Sequence, residues 1–262
     1  MKKLFFITIC FSMIIGKLNA QDTPADSKFR FGLKMAPSIA WMRSDDKKRL
    51  DSDGVSMKFA YGLTTEFKLT SVASLCTGLE VNYTGGRLNF VNTADSVYYD
   101  PSEFTAPAAG TIDLFYISRR TYKITYVDLP ILLKMKTPEV GGFTYFGMFG
   151  FNLSIRGKVK ANDIGTLVTQ EDSVFKVTTD YEIPDLIVTK DMNFFKAGLN
   201  VGAGAEYRIA GTTSLFASLN FQNGFTNVLK KESRTLRSIA KNEAFSQNAK
   251  SNFFQINIGI LF

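Results

Sequence analysis

From Phe29 onward, apolar and polar residues alternate with a period of two, the pattern of strands whose two faces meet different surroundings. Residues 195–209 show it most cleanly. Phe195, Ala197, Leu199, Val201, Ala203, Ala205, Tyr207 and Ile209 share one face, and Lys196, Gly198, Asn200, Gly202, Gly204, Glu206 and Arg208 share the other. A helix does not sort residues this way, because its faces repeat every ~3.6 positions. Seven further segments repeat the pattern, at 29–41, 59–69, 75–83, 120–135, 143–155, 213–221 and 254–262, which makes eight predicted strands. Within 120–135 the apolar residues change parity, from Tyr122, Ile124 and Tyr126 to Val127, Leu129, Ile131 and Leu133. That change predicts a bulge near Tyr126, with one extra residue on this strand. Pro130 has no N–H to give and predicts a broken rung in the same strand.

The connections alternate in length. Long polar stretches span 42–56, 90–118, 158–190 and 227–251, and short ones span 70–74, 137–142 and 210–212. This is the plan of an even-stranded outer-membrane barrel. The expected fold is therefore all-β: an eight-stranded antiparallel up-and-down transmembrane β-barrel with four long extracellular loops and short periplasmic turns. Inside lipid every backbone N–H and C=O needs a partner within the protein, so the sheet must close on itself. The alternation also fits a soluble β-sandwich or a lipocalin-like barrel with its apolar face turned inward. Large aromatic faces, charges interleaved with glycine on the opposite faces, and Phe262 closing an alternating strand favour the membrane barrel.

On that reading the polar faces line a lumen. Its expected charges are Arg30, Lys34, Lys58, Glu66, Lys68, Glu80, Lys196, Glu206 and Arg208. Eight strands enclose a space that side chains nearly fill. Both signs are present, so these groups are expected to pair into an ionic plug rather than line an open channel.

Composition sharpens this picture at the N-terminus. Lys2 and Lys3 precede an apolar run at 4–15 and a short polar segment ending at Ala20, the form of an export signal cleaved before Gln21. Residues 21–28 then read as a flexible periplasmic leader and 29–262 as the barrel. Mean hydropathy is near zero, and no other stretch approaches the ~20 apolar residues of a membrane helix. Cys10 lies inside the apolar run, too early for lipid attachment. Cleavage lowers the formal charge from +7 to +4, because Lys2, Lys3 and Lys17 leave and no acid does. So mild an excess gives no reason to expect nucleic acid as a partner. Cys76 alone then remains, so no internal disulfide is expected.

The chain has no histidine. This excludes Ser-His and Cys-His nucleophile pairs, histidine bases and nearly all zinc sites. Neither an enzymatic activity, nor a cofactor, nor a metal is expected. Asp45, Asp46, Asp51 and Asp53 before Gly54 suggest a calcium loop, but Lys47, Lys48 and Arg49 interrupt them and the closing glutamate is missing. Asp95, Asp100, Glu103, Asp163, Glu171 and Asp172 read as solvated loop charge. Asn82-Tyr83-Thr84 matches a glycosylation acceptor but falls inside a predicted strand. The last long loop is basic, with Lys230, Lys231, Arg234, Arg237, Lys241 and Lys250 against Glu232 and Glu243. It reads first as solvated, and otherwise as a surface for lipopolysaccharide or a partner protein.

Several segments carry a family resemblance. They are Phe31-Gly32-Leu33-Lys34, Tyr61-Gly62-Leu63 with Thr77-Gly78-Leu79-Glu80, Tyr126-Val127-Asp128-Leu129-Pro130, and the glycine-rich run from Ala197 to Gly204. In order and spacing the chain resembles the PorT-like family of Bacteroidetes outer-membrane β-barrels over most of 29–262. The resemblance implies an outer-membrane location in a Gram-negative cell. The family's namesake belongs to a protein-secretion apparatus, so the resemblance implies a structural or accessory part in an envelope or protein-secretion complex, and the absence of histidine makes that part non-catalytic. A stand-alone binding or adhesion barrel, or a small passive pore, are the other readings. Expected partners are outer-membrane lipid, lipopolysaccharide and other envelope proteins.

Overall fold

The computed structural model describes residues 28–91, 97–99, 112–171, 174–238 and 243–262. The predicted signal and nearly all of the leader lie outside these residues. In chain order the strands are β1 (Phe29–Arg43), β2 (Leu50–Ser52), β3 (Ser56–Lys68), β4 (Ala73–Phe90), β5 (Val97–Tyr99), β6 (Ile112–Lys136) and β7 (Phe143–Glu171). They continue with β8 (Val174–Ile187), a 3-10 turn at Thr189–Asp191, β9 (Phe195–Ala210), β10 (Thr213–Gly224), β11 (Glu232–Ser238), β12 (Glu243–Ser246) and β13 (Lys250–Leu261).

Eight of them close a ring. Going round it, β1 pairs with β3, then β4, β6, β7, β9, β10 and β13 follow, and β13 pairs again with β1, every pair antiparallel. The seam is bonded like any other: the Phe31 N–H donates to the Phe262 carbonyl at 3.3 Å, and the Phe262 N–H donates back at 2.7 Å. The three short turns lie together at one end. Two of them place Gly141, Gly142 and Gly211 at positive φ, where a side chain would be strained.

The apolar faces of the ring point outward. Val201 is 44% exposed on β9 while its neighbour Asn200 is 4% exposed and faces the interior. Leu33, Leu63, Leu79, Ile131, Phe149 and Ile258 are all exposed on the same outer surface. Aromatic rings gather at its two margins. Phe31 meets Phe262 at 5.5 Å and Phe143 meets Tyr207 at 4.8 Å near the short turns. At the other margin Trp41 meets Phe254 at 5.7 Å and Phe221 meets Phe254 at 4.8 Å. Ten residues of β1 separate Phe31 from Trp41, roughly 33 Å of strand, or about 25 Å along a barrel axis tilted by ~40°. That is the height of the apolar band of an outer-membrane barrel.

Beyond the second margin the chain departs from expectation. Residues 158–190 are not a structureless loop: β7 runs on to Glu171 and turns back as β8. Residues 227–251 likewise form β11 and β12, and β11 pairs with β5. Together these elements enclose a second core, in which Leu88, Ile117, Ile124, Leu236 and Phe245 are buried. Each such side chain contributes about 1.5–3 kcal/mol, so this end of the molecule is a folded cap.

The cap also explains the supposed parity change. Tyr122, Ile124, Tyr126, Asp128, Leu132 and Lys134 are all buried on one continuous inner face of β6. What changes is the neighbourhood: the inner face meets an apolar core above and a polar lumen below. The predicted bulge exists at this height, but its extra residue lies on β7, where the register steps from Ile124↔Val159 to Tyr126↔Arg156. Between β4 and β6 the ladder lacks the rungs at Leu129 and Pro130, as proline's missing donor requires.

Candidate functional site

The lumen is filled in layers. Nearest the short turns, Glu66 on β3 and Glu206 on β9 stand among three cations. Arg30 reaches Glu66 at 2.8 Å and Glu206 at 2.9 Å. Lys134 on β6 bridges the same two acids, contacting Glu66 at 3.1 Å, and Lys136 also bonds both. The Lys134 ammonium rests 4.1 Å from the centre of the Phe146 ring, which adds a cation–π contact. Below this floor a vestibule opens at the short-turn mouth, lined in part by Lys68, Thr70, Glu139 and Arg208.

The next layer is built from amides. Asn152 donates to Gln222 at 2.8 Å, Asn200 donates to Asn152 at 3.3 Å, and Asn220 donates to Asn200 at 2.9 Å. Asn257 bonds both Ser218 and Asn220, and Gln255 bonds Glu80 at 2.6 Å. Glycine on the inner face makes room for these side chains: a Cβ on Gly202 would lie 2.5 Å from the Asn220 amide nitrogen. Lys34 closes an ion pair with Glu80 in this region.

Above the amides, Glu80, Asp128, Ser154 and Lys196 stand abreast across β4, β6, β7 and β9. Lys196 is wholly buried, with its ammonium 4.5 Å from the Tyr126 ring and 5.4 Å from the Phe253 ring. Asn82 donates to Asp128 at 2.8 Å. Buried at 1% exposure, Asn82 is a lumen residue, which explains why its glycosylation-like triplet is a strand feature.

The cap has its own buried charges. Arg120 on β6 forks onto Asp163 of β7, at 2.8 and 2.7 Å, and lies 3.8 Å from Asp191. Asp191 accepts bonds from Ser233 at 2.9 Å, from the Arg234 N–H at 2.6 Å and from Thr235. The cluster thus ties β6 and β7 to β11. Burial and the neighbouring Asp191 carboxylate hold the Asp163 carboxyl well above the usual range.

Of the nine expected lumen charges, the interior brings together Arg30, Glu66 and Glu206, and separately Lys34 and Glu80, with Lys196 above them. Lys68 and Arg208 lie at the short-turn mouth, where Arg208 pairs with Glu139. Lys58 is not in the plug. It sits at the opposite rim beside Lys123, Lys158 and Lys160, because the β3–β4 ladder ends at Phe59 and the strands part there. Lys134, Lys136 and Asp128 were not among the expected charges, although the outward run Val127, Leu129, Ile131, Leu133 places them on the inner face of β6.

Asp163 is a buried ion-pair partner rather than solvated charge. Asp95, Asp100, Glu103, Asp172 and Lys241 lie outside the described residues, and Glu171 ends β7. The aspartates of the calcium-like stretch go to separate partners: Asp45 to Lys250 at 2.9 Å, Asp46 to Arg49 at 3.7 Å and Asp53 to Arg119 at 3.4 Å. The basic stretch 227–251 is not simply solvated, since Leu229, Leu236 and Phe245 anchor it in the cap core.

A closed ring of eight strands, apolar without, polar within and girdled by aromatic residues at both margins, defines an outer-membrane β-barrel. The chain belongs to the family described as outer membrane protein beta-barrel domain, whose model matches residues 19–230. The protein is thus placed in the outer membrane, with its short turns periplasmic and its cap extracellular. Similar solved structures include Neisserial surface protein A, at 10% identity over 90% of this chain and 96% of that one, with a TM-score of 0.40. Ail, the attachment invasion locus protein of Yersinia pestis, aligns at 8% identity over 90% of this chain and 100% of that one, with a TM-score of 0.36. The outer membrane protease OmpT from Escherichia coli aligns at 10% identity over 93% and 99% of the two chains, with a TM-score of 0.43. No curated protein matches the chain.

Proposed function

We propose that this protein is a non-catalytic, PorT-like component of an envelope or protein-secretion assembly, and that it works through its extracellular cap. The observation that carries this reading is the division of labour between lumen and cap. The lumen is occupied by ion pairs and hydrogen-bonded amides from Glu66 up to Asn152 and Gln222, which speaks against a passive pore. The cap is folded around its own core, which suits a rigid docking surface. Absence of histidine supports a role without catalysis.

A stand-alone binding or adhesion barrel is the second reading, favoured by the β7–β8 hairpin. β8 lies at an edge of the sheet and exposes Phe175 and Val177 at 66% and 60%. Such an edge is a template for another chain. Purification from detergent-solubilised membranes separates the two readings. An assembly component brings envelope proteins with it, and Phe175→Asp with Val177→Asp sheds them while the barrel stays folded. A protein that purifies alone yet binds cells or matrix through the cap supports the second reading.

A further inference from the structure

We propose that Lys58, Lys123, Lys158 and Lys160 form a docking site at the rim of the barrel for the phosphate groups of an outer-leaflet lipid. The four lysines line one cleft together with Tyr83 and Thr125. Two of them are direct cross-strand partners, since Lys123 of β6 is registered against Lys160 of β7. Like charges facing one another across a ladder destabilise it. Among the described residues one carboxylate answers them: Asp185 of β8 lies 3.6 Å from Lys123 and 3.3 Å from Lys160. Asp185 holds a positive φ of 53° at this point, a conformation that aspartate takes more readily than most side chains. Lys58 and Lys158 have no acidic partner among the described residues. Of the four lysines, Lys123 and Lys160 thus share one carboxylate and the other two have none, a surplus of positive charge that an added anion would balance.

The height of the cleft selects the anion. Lys123 projects from the same face of β6 as Val127, Leu129 and Ile131, which are exposed on the lipid-facing wall. It lies four residues beyond Val127, about 13 Å along the strand and about 10 Å above it in height. Tyr83 is 44% exposed and its ring lies tilted 6.4 Å from that of Tyr61 at the foot of the cleft, as an aromatic side chain does where hydrocarbon gives way to headgroups. Lys123, Lys158 and Lys160 alternate with the buried Ile124, Val159 and Ala161, so they stand on the side of β6 and β7 that meets the outer leaflet. A lipid with its acyl chains along Val127 and Ile131 would bring a phosphate to the lysines. Lipopolysaccharide, the phosphorylated lipid of that leaflet, has this form.

The test uses the full mature chain in nanodiscs containing diphosphorylated lipid A, or lipid A from which the phosphates have been removed, with retained lipid counted by native mass spectrometry. The wild type should keep the phosphorylated form and release the other. Lys58→Gln with Lys158→Gln removes two charges without touching the Asp185 pairs. It should weaken retention by about thirtyfold, at roughly fivefold per lysine. Lys47→Gln with Lys231→Gln, elsewhere on the exposed surface, should retain as the wild type does. Heat-modified gel mobility establishes that each variant is folded, and single Lys58→Gln and Lys158→Gln variants, each expected to lose about fivefold, stand in if the double variant is not. Equal retention by wild type and charge variants, or retention indifferent to phosphorylation, overturns the proposal. So does inorganic phosphate at millimolar concentration displacing the lipid completely, which would mark a site for a free anion.

Discussion

Arg120 and Asp163 face each other directly across β6 and β7 and close a forked ion pair from which solvent is excluded on both sides. Asp191 leans on the same guanidinium from the loop after β8. Removing the cation leaves two buried carboxylates together. Arg120→Met should therefore cost the cap about 3–5 kcal/mol, read as lost hydrogen-exchange protection in β11 and the outer half of β7. The barrel should keep its heat-modified gel mobility, since the ion pairs and amides that fill the lumen rest on other residues.

Two carboxylates around one guanidinium also set a pH dependence. With the Asp163 carboxyl held well above its usual range, the folded cap takes up a proton more readily than the unfolded chain. That stability is present at low pH and is lost as the pH climbs through the raised value. Cap protection, corrected for intrinsic exchange, should fall as the pH rises from about 4. Asp163→Asn should flatten the curve, and an equally steep curve in that variant would contradict the assignment.

The ionic floor makes a separate prediction. Glu206→Gln leaves Arg30, Lys134 and Lys136 with Glu66 as the remaining acid of their cluster. The expected result is a loss of about 3–5 kcal/mol, seen as a lower temperature for loss of the compact gel species. Planar-bilayer recordings of the wild type should be silent. Large, steady, ion-selective currents would show that the layers do not seal.

On β9 adjacent residues answer to different media. Val201→Arg places a charge on the lipid-facing wall and should destabilise refolding into vesicles, by about 2–4 kcal/mol at the bilayer midplane and by less toward the margin where its partner Phe221 lies. Asn200→Leu instead breaks the bonds to Asn152 and Asn220, and should cost about 1–3 kcal/mol by leaving amides unmatched.

The wall was legible in the sequence because lipid and lumen impose opposite demands on adjacent residues, and Val201 beside Asn200 records both. The lumen was half legible. Arg30, Glu66 and Glu206 stand in plainly alternating strands. Lys134 and Asp128 share a strand whose apolar residues change parity between Tyr126 and Val127, which hides their side. The cap was not legible as a folded body. Its core draws Leu88, Ile117, Leu236 and Phe245 from four separate stretches, and no local period joins residues that meet only through tertiary pairing. Arg120 and Asp163 shared that fate: 43 residues apart in the chain, each looked like ordinary loop or strand-end charge.

The mutual hydrogen bonds of Phe31 and Phe262 have a topological consequence. Because β13 is joined to β1 by the same ladder that joins every other pair, the wall is a circle without a first member, and its order of neighbours does not depend on where the polypeptide is cut. The covalent links at the short turns serve as tethers. A permuted chain opened between Gly141 and Gly142, with Phe262 connected back to Phe29 through a short flexible segment, should rebuild the same circle. Its strands would then reach the membrane in a different sequence in time. Comparing the two chains would show whether the assembly of this wall is governed by its final geometry or by the order in which its staves arrive.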